Sequence, residues 1–117
     1  RQKIVSLLDI LRVGCASARD AAVQELLNRT TQSANSCAET VQQGAIPTLI
    51  ALLRDGTPEG KTNAAGALRN IAANTDNKVT VAREGAIPLL IALLRDGTPE
   101  GKTNAAGALR NIAANTD

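Results

Sequence analysis

The stretch from Gly44 to Asp76, GAIPTLIALLRDGTPEGKTNAAGALRNIAANTD, returns from Gly85 to Asp117 with one change, Thr48 against Leu89. The copies lie 41 residues apart. A period of that length constrains the fold more than any other feature of the chain. A unit of this size cannot bury its apolar face alone, so such units stack into a solenoid.

One repeat divides into three helical segments. Gly44 ends the preceding helix as a residue that tolerates positive φ. Pro47 is expected to open a medium helix that runs to about Arg54, with Ile46, Leu49, Ile50 and Leu53 on a buried face. Asp55-Gly56 stops it. Thr57-Pro58-Glu59 then starts a long helix, with a hydroxyl cap, a first-turn proline and an acid at the positive end of the dipole. The long helix is expected to reach about Ala73 and to bury Ala64, Ala67, Leu68, Ile71 and Ala72. Asp76 is expected to cap a short helix, Asn77 to Glu84, with Val79 and Ala82 inward.

Residues 1–43 are a divergent unit. Leu11-Arg12-Val13-Gly14 falls on Leu53-Arg54-Asp55-Gly56 at a shift of 42, which also places Ala22 on Ala64, Leu26 on Leu68 and Asn28 on Asn70. Arg29 falls on Ile71, a poor match. Ser36 to Gln43 falls on Asn77 to Glu84 at a shift of 41. The expected order is medium, long, short, medium, long, short, medium, long. The expected organisation is one domain over 1–117, with units 1–43, 44–84 and 85–117.

Composition agrees with an all-α solenoid. The chain has no Phe, Tyr, Trp, Met or His, and its apolar residues are Ala, Leu, Ile, Val and two Cys. Thirteen basic and eleven acidic residues are scattered without a basic run, so neither nucleic acid nor a membrane surface is implied as partner. No apolar stretch approaches the ~18 residues of a membrane span. Cys15 and Cys37 are read as reduced thiols, which places the chain in the cytoplasm or nucleus.

Catalytic chemistry lacks its parts. Without histidine there is no Ser-His-Asp set, no His-ligated metal and no base beside either cysteine. Gly56-Thr57-Pro58-Glu59-Gly60-Lys61-Thr62 looks like a phosphate-binding loop. Its glycines, however, are one residue too close, a helix precedes it, and Pro58 has no N–H to offer. It reads as a cap and turn. No catalytic residue, cofactor or metal is expected, and the chain is not expected to be an enzyme.

The pattern Gly-Ala-Ile-Pro-x-Leu-Ile-x-Leu-Leu, then Asp-Gly-Thr-Pro-Glu-Gly-Lys, then Ala-Leu-Arg-Asn-Ile-Ala resembles the armadillo repeat family. The Asp55–Lys61 link is most similar to the arrays of U-box ubiquitin ligases. The resemblance implies a right-handed α-solenoid of about three armadillo repeats whose long helices line a concave groove. In peptide-binding members an asparagine on each long helix holds the peptide backbone. That position matches Asn70 and Asn111, and more loosely Asn28. A carboxamide both donates and accepts, so it can pair with a peptide unit, and substitution by alanine is expected to leave stability nearly unchanged. The family's tryptophan, four residues earlier, is here Gly66, Gly107 and Gln24. The expected partner-facing residues are therefore Asn28, Asn63, Arg69, Asn70, Asn104, Arg110 and Asn111. This surface is polar and slightly positive, and suits a neutral or acidic peptide.

Two functions follow from these residues. The first is a protein-binding scaffold that takes an extended peptide or partner segment along the groove. The alternative is a structural, self-assembling unit with no dedicated ligand, either a fragment of a longer array or a consensus-like sequence. For either one, the faces around Leu7 and Ile10 at one end and Leu109 and Ile112 at the other are expected to be partly exposed and to favour head-to-tail association.

Overall fold

The computed structural model describes residues 8–12 and 14–114. Residues 8–12 are helical, and seven further helices follow: α1 (Ala16–Gln32), α2 (Ala34–Gln42), α3 (Ala45–Asp55), α4 (Pro58–Ile71), α5 (Thr75–Arg83), α6 (Ala86–Asp96) and α7 (Pro99–Ala113). This is the medium, long, short order expected from the repeat, and no strand occurs among the described residues. The long helices α1, α4 and α7 lie side by side, α4 between the other two. The medium helices α3 and α6 form a second layer behind them. The chain is thus an all-α solenoid.

The caps explain where the helices begin. Thr57 Oγ1 accepts from the Gly60 N–H at 3.0 Å, and Thr98 Oγ1 from the Gly101 N–H at 2.9 Å, with Pro58 and Pro99 as first helical residues. Ser33 Oγ accepts from the Ser36 N–H at 3.0 Å and so caps α2. Gly44 and Gly85 have φ of 89° and 94°, a backbone that L-residues rarely adopt. The helix after each starts at once, so α3 begins at Ala45, ahead of the expected Pro47.

Other boundaries also differ from the sequence reading. α4 ends at Ile71, short of Ala73. The cap of α5 is Asn74, whose Oδ1 accepts from the N–H groups of Asp76 and Asn77 at 2.9 and 3.2 Å, and Asp76 lies inside the helix. The inward face of α5 changes accordingly. Val81 and Lys78 are buried, Ala82 is half-buried and Val79 is exposed. Positions 79 and 81 are two residues apart and point to nearly opposite sides of a helix. Either could have carried the buried stripe, and packing on α6 and α7 selects 78 and 81.

The core follows the periodicity closely. Ile46, Leu49, Ile50 and Leu53 are buried, joined by Leu52. Ala64, Ala65, Ala67, Leu68 and Ile71 are buried along α4, with Ala72 just past its end, and the small alanine side chains let the long helices approach. Of the residues expected to be partly exposed, Ile10 is exposed, Leu109 is half-buried, Ile112 is buried, and Leu7 lies outside the described residues. In the divergent unit Ala22 and Leu26 are buried as their alignment partners are. Arg29 stands where Ile71 would place an apolar side chain. It is accommodated half-buried, with its Nε 3.4 Å from Glu25.

Candidate functional site

The long helices do more than stack, because polar side chains stitch each one to the one before. Thr57 Oγ1 donates to the Asp20 carboxylate at 2.8 Å, and one repeat on Thr62 and Thr98 share a hydroxyl bond of 2.9 Å. Asp20 and Thr62 occupy the same repeat position, as do Thr57 and Thr98. The caps that open α4 and α7 are thereby each tied to the preceding long helix. The loop that resembled a phosphate site is occupied by these bonds.

The asparagines complete the stitching. Asn63 Nδ2 donates to Gln24 Oε1 at 3.3 Å, and Asn104 Nδ2 to the Thr62 carbonyl at 3.0 Å. Both side chains are buried between helices. Asn70 Nδ2 donates to Thr30 Oγ1 at 3.0 Å, and Asn111 Nδ2 to the Arg69 carbonyl at 2.9 Å. Each of these bonds runs backward, to the preceding long helix. Asn28 is exposed.

An open cleft of about 700 Å³ crosses all three long helices near their C-terminal ends. Thr30 and Thr31 of α1, Arg69 and Asn70 of α4, and Ala106, Gly107, Arg110 and Asn111 of α7 line it, and no carboxylate does. Four of the seven expected residues, Arg69, Asn70, Arg110 and Asn111, thus meet in one cleft. Asn63 lines a separate cleft at the other end of these helices, beside Glu59 and Glu100, and neither Asn28 nor Asn104 lines the basic cleft. The sequence reading missed Thr30 and Thr31, which occupy the divergent unit, where no repeat pattern marks them.

The glycines at the family's tryptophan position have a local cause. A β-carbon on Gly66 would lie 3.1 Å from both Leu27 Cδ1 and Asn104 Nδ2. On Gly107 it would collide with the stem of Arg69. Neighbouring repeats fill the space that a ring would need, from both sides at Gly66 and from the preceding repeat at Gly107. At Gly107 the stem of an arginine lies over the glycine.

Of the remaining chemistry, Cys37 is half-buried, and burial pushes its thiol above the ordinary value of 9.0. Cys15 is exposed and free. No group of acids or cysteines among the described residues is arranged to hold a metal ion. No described helix is long and apolar enough to cross a membrane.

Several solved structures share this architecture. A computationally designed armadillo repeat protein for modular peptide recognition is 30% identical, with a TM-score of 0.88 over 95% of this chain. A designed armadillo repeat protein in complex with the peptide (KR)4 is 27% identical, with a TM-score of 0.86 over 94% of this chain. The chain spans about half of each, 47% and 46%. Among curated proteins none matches it. The Armadillo/beta-catenin-like repeat pattern matches residues 35–73 and again 74–114, each match taking in one short, one medium and one long helix. Those two units cover well over half of the sequence and coincide with the stitched helices, and on that ground the chain belongs to the armadillo repeat family.

Proposed function

We propose that this chain is a non-enzymatic scaffold that binds an extended, neutral-to-acidic peptide across the three long helices. One observation carries the reading: Arg69 and Arg110 line an open cleft with Asn70 and Asn111, and no carboxylate faces them there. A carboxamide has two N–H donors and an acceptor oxygen, and each stitching bond uses one N–H. Asn70 and Asn111 therefore keep an acceptor and a second donor for a peptide backbone. The designed relative that holds (KR)4 supports peptide binding as a use of this architecture. Here the expected sign is reversed, because two arginines line the cleft and the chain has no aromatic ring to flank a lysine stem.

The stitching bonds of Asn63 and Asn104 favour a second reading, in which the asparagine row serves repeat stacking alone. A nuclear magnetic resonance titration separates the two. Extended peptides of one length are compared, one rich in Glu and Ser, the other in Lys and Arg. The scaffold reading expects the acidic peptide to shift the side-chain amides of Asn70 and Asn111 and the backbone of Arg69 and Arg110. Tighter binding of the basic peptide, or silence of all four residues, would overturn it. The Asp55–Lys61 link supports kinship with the arrays of U-box ligases within the family, and the two free thiols support a reducing cytoplasmic or nuclear setting.

A further inference from the structure

At both junctions between long helices, a side chain of one helix lies over a glycine of the next. Leu27 and Arg69 hold the same repeat position, 42 residues apart. A β-carbon on Gly66 would lie 3.1 Å from Leu27 Cδ1. One on Gly107 would collide with Arg69 Cδ and lie 3.2 Å from its Cγ. The seat is therefore a feature of the repeat, and its occupant changes. Leucine carries no charge, so of the two junctions only that between α4 and α7 has a cation in the seat.

The helix α7 holds Arg69 at two points. Gly107 admits the side-chain stem, and Asn111, one turn further on, donates its Nδ2 to the Arg69 carbonyl at 2.9 Å. Arg69 is half-buried and lines the cleft with Asn70 and Asn111, where no carboxylate neutralises it. An arginine free to turn in solvent samples many rotamers, and a ligand that pairs with it must freeze them. One whose stem already lies against a helix backbone has less freedom to lose, so it binds an anion more tightly. Any side chain at position 107 would take the place of that stem and turn the guanidinium out of its seat.

We propose that Gly107 is a specificity-determining position of the groove: its missing side chain seats Arg69, and the seated guanidinium selects an acidic side chain on the bound peptide. Gly107 acts through Arg69 and is a positioning residue. The inference rests on the scaffold reading above and adds to it the residue that sets the sign of the ligand.

The test compares the affinities of the acidic and the basic peptide at one ionic strength for the parent chain, Gly107→Ala, Arg69→Ala and the double variant. The parent is expected to prefer the acidic peptide. Gly107→Ala should lose about tenfold of that preference, the scale of one charge-assisted bond, and Arg69→Ala should lose as much. The double variant should lose no more than either alone, because both changes remove one interaction. The melting temperature of Gly107→Ala should not fall, since alanine is the better helix former. A merely structural glycine would instead lower the melting temperature and weaken both peptides alike. A preference that survives Gly107→Ala overturns this inference and leaves the scaffold reading standing. So does an equal loss from Gly107→Ala in the Arg69→Ala background, which would mean that the glycine acts by another route. A parent chain without preference for the acidic peptide overturns the scaffold reading, and the selectivity with it.

Discussion

The stem of Arg69 lies in the space that a β-carbon at Gly107 would occupy, so the arginine of one repeat fills the vacancy left by the glycine of the next. At Gly66 the corresponding space is closed by Leu27 and by the Asn104 amide, which is itself bonded to the Thr62 carbonyl. The two glycines have the same sequence context and different neighbours. Gly66 is buried and Gly107 half-buried.

Tryptophan substitutions should separate them. At Gly107 the obstacle is a flexible side chain that can swing into solvent, and the expected cost is under ~1 kcal/mol. At Gly66 a ring meets packed leucine and a bonded amide, and overpacking is expected to cost about 3 kcal/mol or more. Urea denaturation of both variants measures the difference, and equal losses would show that Gly107 is as closed as Gly66.

Truncation of the medium helices should reveal the repeat boundary. Ile50→Ala and Leu53→Ala remove buried methyl groups and should destabilise by about 2–5 kcal/mol each. Ile91→Ala and Leu94→Ala change the same residue types at exposed positions and should stay within ~0.5 kcal/mol in dilute protein. Comparable losses at all four sites would contradict the packing described.

The asparagines should contribute to both stability and binding. Stitching bonds bring a cost that the sequence alone did not suggest, because Asn70→Ala and Asn111→Ala each remove an inter-repeat bond worth about 1 kcal/mol. Asn104→Ala removes a bond from a buried amide and should lose at least as much. Thermal melts with and without an acidic peptide distinguish the roles. The peptide affinity should fall for Asn70→Ala and Asn111→Ala, and remain unchanged for Asn104→Ala, whose side chain does not line the cleft.

The capping loops should respond to threonine, not lysine. Thr57→Ala and Thr98→Ala each lose a helix cap, at about 1–2 kcal/mol, together with the hydroxyl bond to the preceding helix. Lys61→Ala and Lys102→Ala should stay within ~0.5 kcal/mol. Isothermal titration with ATP should show no saturable heat, and binding abolished by the lysine substitutions would restore a nucleotide role to the loop.

The cysteines should differ in reactivity. Burial raises the Cys37 thiol above its unfolded value, whereas Cys15 is exposed. Iodoacetamide at mildly alkaline pH should therefore label Cys15 well before Cys37, as read by mass spectrometry. The linkage to stability has a definite sign. The native state holds the Cys37 proton more tightly, so this contribution is present below the unfolded pKa and lost as pH rises past 9.0 through the folded value. Preferential labelling of Cys37 would contradict its burial.

The sequence by itself determined the solenoid. A period of 41 residues, helix-spaced Ile46, Leu49, Ile50 and Leu53, and the Thr-Pro caps at residues 57 and 98 are local or near-local signals. They specify helix type, order and inward face wherever one stripe is clearly more apolar than the rest. It was the resemblance to the armadillo family, not the period itself, that singled out Arg69, Asn70, Arg110 and Asn111, and these four line one cleft. Tertiary structure decided what depends on neighbours. It chose Val81 over Val79 on the weakly patterned α5, and turned Asn63 and Asn104 inward. It brought Thr30 and Thr31 into the cleft, and left Ile91 exposed where the identical Ile50 is buried. Identical residues cannot differ by their own chemistry, so what separates them is that α6 packs on Ile50 while no described helix packs on Ile91. That information lies in the stacking of one repeat on another, not within any single repeat.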